Sequence, residues 1–267
     1  MEKRSDFISI IIPVYKQEKT IRKDIENALV AFSELPDPFE IIVVIDGVAD
    51  NSWNEAKKVK DKKVVTIGYR TNHGKGYAVR FGFAKAHGTI IGFMDAGGDL
   101  KSTSLPLMYQ QFQFQKADIV MGSKRHPLSK VHYPNFRRIL SWGYQMIVRV
   151  LFGLDVKDTQ VGMKLYRRRV LEDVLPRVLV KEFAFDIEIL AVSYALGYRK
   201  IYEAPIELDF SGITSSITSG NTWKVIVNML RDTLAVFYRL KILHYYDAAN
   251  KRKWRFDPEL NFRINIG

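Results

Sequence analysis

Short, β-branched and nearly continuous apolar runs alternate with amphipathic stretches over the first 120 residues. The runs are Phe7–Val14, Glu40–Ile45, Lys63–Tyr69, Thr89–Met94 and Ala117–Met121. Strands of a parallel sheet read this way when helices cover both of its faces. Helical patterns separate them at Lys19–Glu34, Asn51–Val59, Lys75–His87 and Ser104–Gln115. The alternation predicts an α/β fold, with an open, mostly parallel Rossmann-like sheet flanked by helices. A closed (β/α)₈ barrel needs about 250 residues of unbroken repetition. Here the rhythm stops after residue 121.

The second half is expected to be more helical. Pro134–Phe152 and Trp223–Tyr246 read as long helices, Phe183–Leu196 as a shorter one and Lys200–Glu207 as a strand. Within Trp223–Tyr246, Ile226, Leu230, Thr233, Leu234, Phe237 and Leu240 recur at helical spacing among Lys224, Arg231, Arg239 and Lys241. That is the pattern of an amphipathic helix, either packed on the domain or lying in a membrane interface. Arg231, Asp232, Arg239 and Lys241 break its most apolar stretch, Val225–Leu243, so it is not read as a span. Met1–Asp6 is polar and is not read as a signal peptide. Ala248–Gly267 is charged and aperiodic, which predicts a surface extension. The expected organisation is one domain over 1–246, with halves at 7–121 and 122–246, and a tail at 247–267.

Charge sharpens the picture. The chain has 267 residues, with 41 Lys and Arg against 29 Asp and Glu, for a formal net charge of +12. Such an excess implies an anionic partner: nucleic acid, a phosphorylated small molecule or a membrane face. Between 120 and 170, eleven basic residues face only Asp155 and Asp158. The charge is therefore concentrated. With no cysteine, a disulfide framework, Cys-ligated zinc and a thiol nucleophile are excluded. His73, His87, His126, His132 and His244 show no metal-ligand spacing. Zinc-finger spacing and an RNP-like aromatic strand are absent too, so a nucleic-acid module is disfavoured.

Open α/β sheets bind ligands beyond the carboxyl ends of their strands. Four such ends carry polar or Gly-rich turns: Pro13–Glu18, Asp46–Asp50, Asn72–Gly76 and Asp95–Asp99. Together they predict one crevice. Asn72–Gly76 brings backbone N–H groups and a helix start within reach of phosphate, but it lacks the full P-loop pattern.

In order and spacing, PVYKQE (13–18), IDGVADNS (45–52), NHGKGYAVRFGFAKAHG (72–88) and IIGFMDAGGD (90–99) resemble family 2 glycosyltransferases of the GT-A fold. GSKR (122–125), FRRILS (136–141) and DTQVGMKLYRRRV (158–170) are similar to the polyprenyl-phosphate branch, the dolichyl-phosphate mannose and glucose synthases. The resemblance spans about residues 7–240. It implies metal-dependent, inverting transfer of a hexose from a UDP- or GDP-sugar to a polyprenyl phosphate. It makes 7–121 the nucleotide-sugar half and 122–246 the acceptor half. Pro13, Tyr15, Glu18, Asp46, Lys75, Asp95 and Ala96 then face the donor. Lys124, Arg125, Arg137 and Ser141 face the acceptor phosphate, and Asp186 lies near the transferred sugar. Asp95 and Asp186 are the implied catalytic pair. The protein would work in the cytoplasm, peripherally at the inner membrane face.

Two departures from the family pattern matter. The acidic pair after the second strand becomes Ile45–Asp46, and the Asp-x-Asp of the metal site becomes Asp95–Ala96–Gly97. Mg²⁺ or Mn²⁺ would then be held by Asp95, by Asp99 if the intervening turn folds it back, and by Gln160. Asp99 as a plain helix cap is the alternative. A different acceptor, a protein or a polysaccharide, is the competing reading of the function. Neither the sugar nor the base is legible.

Overall fold

The computed structural model describes residues 6–98, 100–132, 135–180, 184–209, 222–247 and 254–265. In the first half every predicted strand and helix forms: β1 (Ile8–Val14), α1 (Ile21–Ser33), β2 (Phe39–Asp46), α2 (Ser52–Lys57), β3 (Val64–Tyr69), α3 (Lys75–Lys85), β4 (Ile90–Met94), α4 (Ser104–Phe114) and β5 (Ile119–Ser123). Then follow β6 (Lys130–His132), α5 (Asn135–Phe152), β7 (Met163–Arg167), α6 (Arg168–Val174), α7 (Phe185–Ala195), β8 (Ile201–Pro205), β9 (Glu207–Asp209) and α8 (Thr222–Phe237).

A seven-stranded sheet runs in the order β3-β2-β1-β4-β7-β5-β8. All its pairings are parallel except those of β7, which runs antiparallel between β4 and β5. The DTQVGMKLYRRRV segment, read as a motif alone, thus supplies a central strand. Side chains alternate across the pleat. Ile8, Ile10, Ile12 and Val14 meet α1 and α4 on one face, through Ile25, Phe32, Met108 and Phe112. Ile11, Ile42, Val44 and Phe93 meet α3, α5 and α7 on the other. Helix α7 is buried from Phe185 to Ser193, hence apolar around most of its circumference.

Two expectations are corrected. The helix expected over Trp223–Tyr246 leaves α-geometry after Phe237 and continues as a π-helical turn, Tyr238–Ile242. Its predicted stripe faces largely inward: Thr233 and Leu240 are buried, and Leu230 and Phe237 pack against the core. The tail expected to be aperiodic contains an antiparallel hairpin, β10 (Trp254–Asp257) with β11 (Phe262–Asn265). It lies against α3: Phe262 meets the Phe83 ring edge-on, and Tyr77 donates a hydrogen bond to Glu259. Leu260 is buried at its turn. Among the described residues, no helix is long and apolar enough to cross a membrane.

If the hairpin is part of the packed body, Leu260→Ala should lower stability by roughly 2–3 kcal/mol. At this chain length that is a fall in Tm of about 5–10 °C, read by thermal denaturation. An unchanged Tm would show a loosely attached tail.

Candidate active site

Strands β3, β2, β1 and β4 are neighbours and parallel, so their carboxyl ends open on one edge of the sheet. Pro13 and Tyr15 lie at the end of β1, Asp46 ends β2, and Asp95 and Ala96 follow β4. Lys75 is the first residue of α3. The four turns expected to form a crevice are therefore brought together.

Each turn is tied down by local chemistry. Asp46 is buried, and its carboxylate accepts from the backbone N–H groups of His73 and Gly74, at 2.7 and 3.0 Å. The Asn72 amide donates to it at 3.2 Å. Glu18 accepts from the Asn51 N–H at 3.0 Å and fixes the start of α2. Tyr15 is exposed, with Lys16 over its ring. Asp24, on the buried face of α1, accepts from the Gly97 N–H at 3.0 Å. Gly97 stands where the family pattern has its second acid, with φ at +128°, a conformation that residues with a Cβ rarely adopt. Asp99 lies outside the described residues.

The antiparallel strand delivers the remaining parts. Asp95 donates its backbone N–H to the Gly162 carbonyl at 2.8 Å. The Asp95 carboxylate occupies the space that a Cβ on Gly162 would fill, with Oδ2 only 1.8 Å from that position. Two residues earlier, Gln160 holds a buried side-chain nitrogen without a partner. Lys164, buried within β7, donates to Asp186 Oδ1 and to the Val161 carbonyl, both at 2.6 Å. The other Asp186 oxygen, Oδ2, accepts from Lys75 Nζ at 2.9 Å, and Nζ lies 2.8 Å from Asp95 Oδ1. The result is a continuous chain, Lys164–Asp186–Lys75–Asp95.

Burial alone would raise the Asp186 pKa, but the charges of Lys164 and Lys75 reverse this and leave it at about 2. Burial drives Lys164 the other way, below the ordinary lysine range, against the pull of Asp186. For Lys75 burial also acts downward, yet Asp186 and Asp95 outweigh it and hold the ammonium above its usual range. Asp186 therefore stays ionised throughout the neutral range, with both oxygens engaged.

The basic segment is placed beside β5. Lys124 follows the strand, and its Nζ and backbone N–H both reach the buried Asp158 carboxylate, at 3.1 and 3.0 Å. Arg125 donates to Ser141 Oγ of α5 at 3.4 Å. Arg137 falls on α5, and its side chain lies outside the described residues. Sequence reasoning missed Asp24, Gly162 and Lys164 as parts of the site. The available signal was a charge inside an apolar stripe or run. Glu188, two residues beyond Asp186 on α7, is fully buried and accepts from Tyr246 at 2.5 Å and from the Leu179 and Val180 N–H groups at 2.9 and 2.7 Å.

Removing one partner of a buried pair strands the other charge. Lys164→Met should cost about 3 kcal/mol in urea denaturation, and adding Asp186→Asn should recover part of it. The folded-state pKa of Asp186 lies below its ordinary value of 3.8, so its contribution is present above about pH 4 and is lost as pH falls toward 2. Lys164→Met should weaken that acid loss. Equal acid sensitivity in both proteins would show that the pair does not stabilise the fold.

Comparison with known proteins follows the same lines. The dolichyl-phosphate beta-glucosyltransferase of Homo sapiens is 30% identical over 226 residues, 78% of this chain and 68% of the human protein. The undecaprenyl-phosphate mannosyltransferase of Micrococcus luteus is 27% identical over 234 residues, 84% of this chain and 93% of that protein. Among solved structures, a glucosyl-3-phosphoglycerate synthase from Mycobacterium tuberculosis, in complex with Mn²⁺, uridine diphosphate and phosphoglyceric acid, superposes with a TM-score of 0.64. It is 17% identical, over 97% of this chain and 86% of that one, and it shares the GT-A fold. Residues 9–175 match the family described as Glycosyl transferase family 2, and the chain belongs to that family.

Proposed function

We propose that this glycosyltransferase moves a hexose from a nucleotide sugar to a polyprenyl phosphate, with inversion at the sugar carbon. The observation that carries the reading is that, among the described residues, each site carboxylate is already engaged, Asp95 and Asp186 by ammonium groups and Asp46 by backbone N–H groups, which leaves no free general base among them. The carboxylate nearest the proposed sugar position, Asp186, is fixed between two ammonium groups. A phosphate acceptor needs no general base, because its oxygen is already ionised near neutral pH. That oxygen attacks the sugar C1, the bond from C1 to the diphosphate oxygen breaks, and the nucleoside diphosphate leaves with the bonding pair. One direct displacement inverts the carbon. What the protein supplies is positioning and positive charge. Both relatives above are named for polyprenyl-phosphate acceptors.

On this reading Pro13, Tyr15, Glu18, Ala96 and Asp46 frame the nucleotide, Asp46 by holding the 72–74 turn in place. Lys75, anchored on Asp186 at the start of α3, faces the leaving diphosphate. Arg125 with Ser141, together with Lys124 and Arg137, orients the acceptor phosphate through charge-assisted hydrogen bonds. A divalent ion, Mg²⁺ or Mn²⁺, would be held by Asp95, a partly exposed carboxylate, and by the amide of Gln160, whose buried Nε2 has no partner here and whose oxygen would have to take that place to bind a cation. No trio of acidic or histidine side chains gathers among the described residues. One carboxylate plus an amide oxygen matches the way Mg²⁺ is held when substrate phosphates complete its shell. Such an ion would neutralise charge developing on the leaving group.

The lipid acceptor implies a membrane face. Trp142, Met146 and Val150 on α5 are exposed, as are Val227, Leu234, Tyr238 and Ile242 along α8 and its π-helical continuation. Arg149, Arg231 and Lys241 stand among them, also exposed. An amphipathic surface of this kind lies in an interface and is drawn to anionic lipid.

Two measurements test the reading. With labelled UDP-glucose or GDP-mannose and a short polyprenyl phosphate, label should pass into the organic phase, and label confined to water-soluble product would overturn the acceptor assignment. In the same assay Arg125→Ala and Arg137→Ala should each lower kcat/KM about 10–100-fold, the equivalent of a lost charge-assisted bond, while nucleotide affinity stays unchanged. Separately, anionic liposomes should sediment the protein at low salt and release it at high salt. Val150→Glu with Ile242→Glu should abolish this binding. No sedimentation of the wild type at any salt would remove the membrane surface from the account.

A further inference from the structure

The two lysines on Asp186 are not equivalent. Lys164 is enclosed, with 1% of its side chain exposed, and its ammonium is tied to the Val161 carbonyl as well as to Asp186. Lys75 retains 26% exposure and bridges Asp186 to Asp95, whose own side chain is 39% exposed. Asp95 is also the carboxylate that the reading above gives to a divalent ion, and the inference here rests on that reading.

The charges decide what can enter. Among the described residues of this cluster, two carboxylates and two ammonium groups sum to zero, so the cluster is neutral before a ligand enters. A divalent ion added to Asp95 with both lysines in place would leave two uncompensated positive charges close to the Lys75 ammonium. It would also compete for the oxygen that Lys75 already holds at 2.8 Å. A nucleoside diphosphate changes both terms. It brings two to three negative charges, and it offers Lys75 new acceptors within reach of the α3 N-terminus, a position that favours phosphate. Lys75 can then leave Asp95 while its bond to Asp186 persists. Lys164 keeps that anchor fixed throughout.

We propose that Lys75 occupies the Asp95 carboxylate in place of the divalent ion while the donor is absent, so that ion and nucleotide diphosphate bind together and neither lysine has to leave Asp186. The ammonium is a stand-in for the metal, displaced by the substrate that needs it. Coupling of this kind is reciprocal: each ligand raises the affinity of the other by the same factor.

The test is Mn²⁺ binding to the full chain, followed by the resonance signal of the free ion, without nucleotide and with UDP or GDP. Wild type should bind Mn²⁺ alone at least tenfold more weakly than with the nucleotide it accepts. Lys75→Met should bind Mn²⁺ alone at least tenfold more tightly than wild type and lose most of the nucleotide-dependent gain. Lys75→Arg, which keeps the charge, should behave like wild type. Lys75→Gln, checked for its fold by circular dichroism, serves the same purpose should the methionine variant not fold. Equal affinity of wild type and the neutral variants for Mn²⁺ alone would overturn the proposal and leave the metal reading intact. No Mn²⁺ binding by any of the proteins with either nucleotide would overturn both.

Discussion

The structure turns on a problem of charge in a dry place. Asp186 is buried against an almost wholly apolar sheet, where an isolated ion is strongly disfavoured, and Asp95 stands partly exposed on the other side of Lys75. Both are satisfied by ammonium groups from distant parts of the chain: Lys75 begins α3 and Lys164 lies in β7, while Asp186 belongs to α7. Three elements from both halves of the sequence are locked together by those bonds. The same bonds fix which groups are free to meet a substrate.

Strand β7 makes the arrangement possible. Pairing Met94 with Met163 sets the register, so the residues before Met163 run past the end of β4. Gly162 meets Asp95 there, and the inward turn of Lys164 follows from the pleat. A one-residue slip would send Lys164 to the opposite face of the sheet. The glycine at 162 is required because the Asp95 carboxylate fills the position that a Cβ there would take. Asp24 performs a comparable service on the other side, where it holds the Gly97 N–H.

The first five strands are legible in the sequence because they are runs of β-branched and apolar residues, four of them almost wholly buried and the edge strand β3 partly so. The four loops at their ends are legible because parallel topology forces them onto one edge. Strand β7 is not, because Lys164 and Arg167 interrupt MKLYR. Lys164 has its countercharge in the core from Asp186, 22 residues away, and a local window holds no trace of that bond. The stripe on α8 marks another limit. Its periodicity is real, but periodicity cannot say whether protein or lipid meets the apolar side. Asp24 and Glu188 look like ordinary helix charges until Gly97 and Tyr246 are placed beside them.

The strand order also sets a schedule for assembly on the ribosome. Strands β3, β2, β1 and β4 come from the first 94 residues and can pair as soon as they emerge. The partner that closes the outer edge of β4 is not made until residues 163–167. At ordinary translation rates of about 5–20 residues per second, the gap of roughly 70 residues lasts about 4–14 s. For that interval an apolar strand, IIGFM, presents unpaired backbone groups to the cell, the kind of edge that templates aggregation. An inserted antiparallel strand that closes this edge late therefore lengthens the time for which the sheet stays open on that side.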